Sequence, residues 1–178
     1  MRVITGTARG RRLREPQGMD IRPTTDKVKE SIFNIIQFDI EGRRILDLFA
    51  GTGQLGIEAA SRGAESVTFV DSSKAAIKLV RENLEHCGIK AQVHQMDALG
   101  FLGTGNKFDL VFVDPPYDNR QLYDKVLEGI IEFDILSEGG IIVCESRHEK
   151  ILPELNGFRR KEYNYGKVRL TVYTKEAE

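Results

Sequence analysis

Cysteine is scarce in this chain, two in 178 residues, and Cys87 and Cys144 stand far apart with only His86 adjacent to either. Neither a disulfide framework nor metal-ligand spacing can be built from that set, so reduced thiols and no bound metal are expected. An apolar run of the ~20 residues that a membrane-spanning helix needs is missing as well. The opening, Met1-Arg2-Val3-Ile4-Thr5-Gly6, leads into arginines instead of the hydrophobic stretch of a signal peptide, which predicts a protein that remains in the cytoplasm. Internal repeats and low-complexity tracts are absent. With 40% apolar residues, the length suffices for one substantial core and not two, so residues 1–178 are read as one domain. Nothing demands a dimer, and a monomer is expected.

Net charge is also low, −1 over the whole chain, but it is unevenly spread. Residues 1–30 hold eight Lys or Arg (Arg2, Arg9, Arg11, Arg12, Arg14, Arg22, Lys27, Lys29) against four acids, a charge of +4 that leaves −5 on the remainder. Such asymmetry reads either as a basic arm that meets phosphates or as a solvated basic hairpin.

Two short strands, Arg2 to Thr5 and Arg11 to Arg14, are expected around Gly6 and Gly10 as a β-hairpin within a basic arm, residues 1–22. In Arg22-Pro23-Thr24-Thr25-Asp26, proline imposes an extended approach, a threonine can cap, and Asp26 suits a first helical turn. The helix should run to about Gln37, with Val28, Ile32, Ile35 and Ile36 on its buried face. From residue 44 to 178 strands and helices alternate. Strands are predicted at Ile45 to Phe49, Ser66 to Val70, Ala91 to Gln95, Phe108 to Val113 and Gly140 to Glu145. Helices are predicted at Gln54 to Ser61, from Ser72 or Ser73 to Gly88, and around Leu122, Val126 and Ile130. This repeating βα unit predicts an α/β fold with a doubly wound, mostly parallel sheet. Phe158 to Tyr163 and Val168 to Thr174 are expected to close it as a terminal antiparallel hairpin.

Asp47-Leu48-Phe49-Ala50-Gly51-Thr52-Gly53-Gln54-Leu55-Gly56 follows a predicted strand, opens a helix and contains G-x-G-x-x-G. Glycines allow a tight turn and close approach to a ligand, and free N–H groups at a helix start favour electron-rich groups. Asp71, twenty residues beyond Gly51, ends the second strand where a carboxylate can accept from both hydroxyls of a ribose. These features fit a nicotinamide dinucleotide and S-adenosylmethionine equally. Asp47 tilts the balance, because a carboxylate at the end of the first strand favours the ammonium of a methionine moiety. Asp97, in Met96-Asp97-Ala98, is a further strand-end acid placed to take a hydrogen bond from an adenine amino group. The plain alternative for each acid is a helix cap or a solvated loop.

The run Phe108-Asp109-Leu110-Val111-Phe112-Val113 delivers Asp114-Pro115-Pro116-Tyr117 to the same edge. An exocyclic amine on a base is a poor nucleophile because its lone pair is delocalised into the ring. Asp114 and the carbonyl of Pro115 can accept its two hydrogens, orient the nitrogen and stabilise the charge that grows on it. Tyr117 offers a face on which the base can stack. Asp114, Pro115, Pro116 and Tyr117 are therefore the candidate catalytic group, and S-adenosylmethionine the expected methyl donor. A Pro-Pro that merely ends a strand is the bland account.

These motifs resemble the RsmD family of bacterial 16S rRNA guanine-N2 methyltransferases over nearly the whole chain. The likeness rests on Arg2-Val3-Ile4 with Arg9-Gly10-Arg11, on Arg22-Pro23-Thr24-Thr25-Asp26-Lys27-Val28-Lys29-Glu30, on Asp47 to Gly56 and on Asp114 to Tyr117. Thr52 stands where the family often has serine. The resemblance implies a class I S-adenosylmethionine-dependent methyltransferase fold, Rossmann-like, and transfer to a guanine N2 of small-subunit rRNA, within an assembling subunit. It implies a cofactor-facing set of Asp47, Gly51, Gly53, Asp71 and Asp97, which Phe49, Thr52, Ser72 and Ala98 extend. Arg2, Arg9, Arg11, Arg12, Arg22, Thr24 and Lys27 are the expected RNA-binding residues. An adenine-N6 methyltransferase shares every motif after residue 44. A non-catalytic RNA-binding assembly factor on this scaffold and a nicotinamide oxidoreductase are the other readings.

Overall fold

The computed structural model describes residues 1–18, 24–116 and 119–177. The elements run α1 (Asp26–Ile35), β1 (Arg44–Asp47), α2 (Gln54–Ser61), β2 (Ser66–Asp71), α3 (Lys74–Cys87), β3 (Gln92–Gln95), α4 (Ala98–Leu102), β4 (Phe108–Val113), α5 (Arg120–Glu132), β5 (Leu136–Arg147), β6 (Phe158–Tyr165) and β7 (Val168–Lys175). One seven-stranded sheet has the order β3-β2-β1-β4-β5-β7-β6. β1 to β5 pair in parallel, and β7 pairs antiparallel with both β5 and β6. The chain reverses direction across the sheet between β1 and β4, so their carboxyl ends flank the crevice where doubly wound sheets bind ligands.

Alternate residues of each strand serve opposite faces. Ile45, Phe69, Leu110, Phe112, Ile141 and Val143 pack on one side with Val28, Ile32 and Phe33 of α1, Leu55 and Ile57 of α2, and Val80 and Leu84 of α3. Leu46, Val70, Val111, Val113, Ile142 and Cys144 pack on the other with Phe101 of α4 and Val126, Leu127 and Ile130 of α5. Thr25 caps α1 by accepting the Val28 N–H, and Ser73 caps α3 by accepting that of Ala76. Gly56 is required sterically: a Cβ there would lie 2.3 Å from the Phe69 ring, so glycine lets α2 settle directly on β2.

In place of two full strands, the segment of residues 2–14 has one antiparallel bridge, Arg2 with Arg12, and its two arms bond to each other through Val3 N–H to the Arg11 carbonyl (2.9 Å), Gly10 N–H to the Val3 carbonyl (2.9 Å) and Leu13 N–H to the Met1 carbonyl (3.1 Å). The segment also docks on its neighbours, where polar side chains of α2 and α3 take backbone groups that the pairing leaves over. Glu58 accepts the N–H groups of Ile4 (2.9 Å) and Thr5 (3.0 Å). Ser61 accepts the Ala8 N–H and donates to the Thr5 carbonyl. Asn83 accepts the Arg14 N–H at 2.7 Å and donates to the carbonyls of Arg14 and Thr52. Beneath it, Lys29 and Glu58 are fully buried with 3.5 Å between charges, and Arg62 closes on Glu58 at 2.9 Å.

Other differences are local. α1 ends at Ile35, two residues early, and β5 extends from Leu136 to Arg147. The short α4 has no signature in the sequence, since five residues are too few to show a helical period. Both cysteines are reduced and buried. Among the described residues no helix is long and apolar enough to cross a membrane, and no cluster of three metal-ligating side chains occurs.

Candidate active site

The loop after β1 is held from beneath by two acids. Asp47, 3% exposed, accepts the Gly56 N–H at 3.0 Å. Asp71 accepts the Gly51 N–H (3.0 Å) on one oxygen and the Ser73 N–H (2.9 Å) on the other. Gly51 and Gly53 sit at φ 57° and 81°, backbone that L side chains rarely adopt. The loop therefore enters α2 with its shape already set. Burial pushes the Asp47 carboxyl up to about 7, with the nearby Asp71 charge adding to the rise and the Gly56 N–H opposing it. A cationic group brought against Asp47 would relieve that penalty.

Gln54, the first residue of α2, donates to the Thr24 carbonyl at 3.3 Å, while its buried Oε1 has no partner among the described residues. Such an orphaned acceptor beside a glycine loop fits a ligand that brings its own N–H donors, and the S-adenosylmethionine ammonium is of that kind. Phe49 is half-buried against the α4–α5 side of the core. Thr52 is buried, and its hydroxyl donates to the Met1 sulfur at 3.4 Å, so this side chain serves the amino-terminal segment. Ser72 is exposed. Asp97 is exposed and caps α4, one oxygen accepting from Leu99 (3.0 Å) and Gly100 (3.2 Å), and Ala98 is buried behind it.

Asp114 follows β4 and is partly buried, Pro115 is buried and Pro116 exposed. Tyr117 lies outside the described residues, as does Arg22. Val113 pairs with Cys144, which sets Asp114 beside Glu145 of the adjacent β5. Among the described residues Asp114 accepts no hydrogen bond. Burial holds its carboxyl well above the ordinary range, and the charges of Glu145 and Asp47 add to the effect. By strand alternation Asp47, Asp114 and Glu145 all project to the α1 side of the sheet.

Thr24, expected to face RNA, is instead buried, because its hydroxyl donates to Glu145 at 2.9 Å. Lys27, Arg2, Arg9, Arg11 and Arg12 are exposed. Arg11 donates to the His86 carbonyl. The side chains of Arg2, Arg9, Arg12 and Lys27 form no ion pair among the described residues, and Arg2 and Arg9 line a cavity of about 190 Å³ with Val3, Ile4 and Gly10. Sequence reasoning missed Glu145, Gln54 and Asn83. Glu145 carried the same signal as the other acids, a carboxylate at the end of a predicted strand; Gln54 and Asn83 carried none.

Strand order, glycine loop and strand-end acids together define a class I methyltransferase. The family described as "Conserved hypothetical protein 95" matches residues 1–174. Ribosomal RNA small subunit methyltransferase D of Escherichia coli is 35% identical, over 100% of this chain and 91% of that one. The Bacillus subtilis protein YlbH is 46% identical over 98% of this chain and 99% of its own. The solved structure of Escherichia coli yhhF superposes with a TM-score of 0.90 at 34% identity, covering 100% of this chain and 99% of the other. The chain belongs to this family, the RsmD methyltransferases.

Proposed function

We propose that the protein transfers a methyl group from S-adenosylmethionine to the N2 amino group of a guanine in small-subunit rRNA. The observation that carries this reading is Asp114, a partly buried carboxylate with no hydrogen-bond donor among the described residues, at the carboxyl edge beside the glycine loop. Such a group fits a ligand that brings its own donor. Relatives named for small-subunit rRNA supply the class of substrate.

Asp47, the Gly51 and Gly53 backbone, Asp71 and Asp97 would hold the cofactor, which supplies an electrophilic methyl on a sulfonium. Asp71 and Asp97 each spend oxygens on backbone N–H groups, so their further bonds to ribose and adenine would use remaining lone pairs. Asp114 and the Pro115 carbonyl accept the two amine hydrogens and fix the nitrogen for in-line attack. As the N–C bond forms, the methyl–sulfur bond would break with its electron pair left on sulfur, and nitrogen becomes cationic; one N–H bond then breaks, its electron pair stays on nitrogen, and the proton passes to Asp114. An upward-shifted carboxyl suits that acceptance. Tyr117, next in the chain, would stack on the base.

A paired base cannot reach this edge, so the target is unpaired or flipped out. Arg2, Arg9 and Arg12, with no acid to neutralise them among the described residues, and Lys27 would meet phosphates, and Arg11 and Arg22 belong to the same set. The arm, residues 1–22, and the catalytic core, residues 44–178, act as one domain, as a monomer, in the cytoplasm. The test is incubation with labelled S-adenosylmethionine and small-subunit RNA, bare and protein-bound, followed by nucleoside mass spectrometry. N2-methylguanosine is expected; N6-methyladenosine in its place refutes the target. Asp114→Ala is expected to reduce labelling by about a hundredfold or more, on the scale of lost charge-assisted hydrogen bonds in a transition state. A loss below about tenfold refutes its role.

A further inference from the structure

The tetrapeptide Asp114 to Tyr117 accounts for an amino nucleophile but does not separate guanine from adenine. The two bases differ beside that amine. Guanine presents an N1–H donor next to its 2-amino group, whereas adenine presents a bare N1 acceptor next to its 6-amino group. A second carboxylate adjoining the first would accept from guanine and repel adenine.

The fold provides one. β4 and β5 are neighbours in parallel register, with Phe112 opposite Val143 and Val113 opposite Cys144, so Asp114, just past β4, and Glu145, within β5, come side by side. Both belong to the alternation that faces α1, as Phe112 and Val143 do. Glu145 is also held in place. Thr24 donates to its Oε2 at 2.9 Å, and Gln54 in turn donates to the Thr24 carbonyl at 3.3 Å, so one chain of bonds runs from α2 across the edge to β5. The Tyr123 hydroxyl donates to the Glu145 carbonyl and anchors the main chain beneath it. A carboxylate has about four acceptor positions on its two oxygens, and the bond from Thr24 aims the group.

We propose that Glu145 is a specificity-determining residue that accepts the N1–H of the target guanine while Asp114 and the Pro115 carbonyl take the hydrogens of its 2-amino group. Thr24 is then a positioning residue acting through Glu145, which gives the buried threonine of the Arg-Pro-Thr segment a part in base selection. The inference rests on the guanine-N2 reading above.

The test replaces the target guanine, once mass spectrometry of digested small-subunit rRNA has located it, with 2,6-diaminopurine by ligation of synthetic RNA. That base keeps the 2-amino nucleophile and turns N1 into an acceptor. Wild-type protein is expected to prefer guanine by about a hundredfold or more in kcat/KM, because sites built to accept a hydrogen bond reject analogues that lack the donor. In Glu145→Gln the side-chain amide can turn its NH₂ to N1, and the preference is expected to fall below about tenfold. The ratio of two substrates does not depend on how much protein is active, so impaired folding cannot imitate this change. A wild-type preference within about threefold, or a ratio unchanged in Glu145→Gln, overturns the inference while leaving the guanine-N2 reading standing. Modification at an adenine in the located site overturns both.

Discussion

Substituting Glu58 with glutamine tests whether the amino-terminal segment is built into the catalytic core. Glu58 is fully buried and gathers four donors: the N–H groups of Ile4 and Thr5, Arg62 at 2.9 Å and Lys29 at 3.5 Å. Glutamine keeps the shape but removes the charge and one acceptor oxygen. Arg62 is 15% exposed at its side chain and can turn toward water, whereas Lys29 is fully buried and cannot. Breaking a buried pair from one side costs about 3–5 kcal/mol, because the remaining charge is left unpaired. The expected loss in urea unfolding is therefore about 3 kcal/mol or more. Amide exchange at Ile4 and Thr5 should accelerate as well. The pH dependence gives a second sign. Burial holds the Lys29 pKa below its ordinary 10.5, while the charges of Glu58 and Asp26 pull it back up. The native state thus sheds the lysine proton before the unfolded state does, and stability rises with pH between the lowered native pKa and the unfolded one. Without the Glu58 charge the native pKa falls further, that window opens at lower pH, and the deficit of Glu58→Gln should shrink as pH rises. Adding Lys29→Met should recover part of the loss, since no buried charge is then unpaired. A deficit below about 1 kcal/mol, or one that grows with pH, would refute the argument.

Asp47→Asn keeps an acceptor for the Gly56 N–H but removes a carboxyl that burial holds at about 7. Its native pKa lies above the unfolded value, so the ionised form costs stability as pH rises through that interval; the variant should melt higher than wild type at alkaline pH, yet bind S-adenosylmethionine at least about tenfold more weakly by calorimetry. In Gly56→Ala the new methyl would lie 2.3 Å from the Phe69 ring, and overpacking of this kind costs about 1–3 kcal/mol, measurable by denaturant titration. Removing Arg2, Arg9 or Arg12 should weaken RNA binding uniformly across sequences and lower the slope of log K against log salt by about 1 for each phosphate no longer neutralised. An unchanged slope would mean that these arginines are surface charges without a phosphate.

The periodic elements were legible in the sequence because the sheet core writes itself into the chain. Phe108 to Val113 and Gln54 to Ser61 have the expected bounds, and Gly88 ends α3 in the left-handed conformation. The docking of the amino-terminal segment was not legible. Its short extended stretches do bond to each other, but their seating on α2 and α3 depends on Glu58, Ser61 and Asn83, residues 53 to 69 positions away for most of these bonds. The burial of Thr24 by Glu145, 121 positions distant, was equally invisible. The acids at strand ends were visible as a set, but their individual duties were not.

Those duties divide by what each carboxylate already holds. Asp71 braces the glycine loop and the start of α3, and Asp97 caps α4. A sequence pattern cannot distinguish such an acid from one awaiting a ligand, because both place a short carboxylate after an apolar run. The structure separates them through hydrogen-bond accounting. Asp47 is the intermediate case, one bond to Gly56 and a carboxyl shifted by burial. Asp114 has no donor among the described residues, although burial makes an uncompensated charge expensive there. A chain that keeps a costly acceptor beside a second carboxylate, and braces that second one with Thr24, has brought two acceptors to one point of the edge. The donor-rich face of guanine, with an amino group next to an N–H, is the nucleobase edge that can use both acceptors at once.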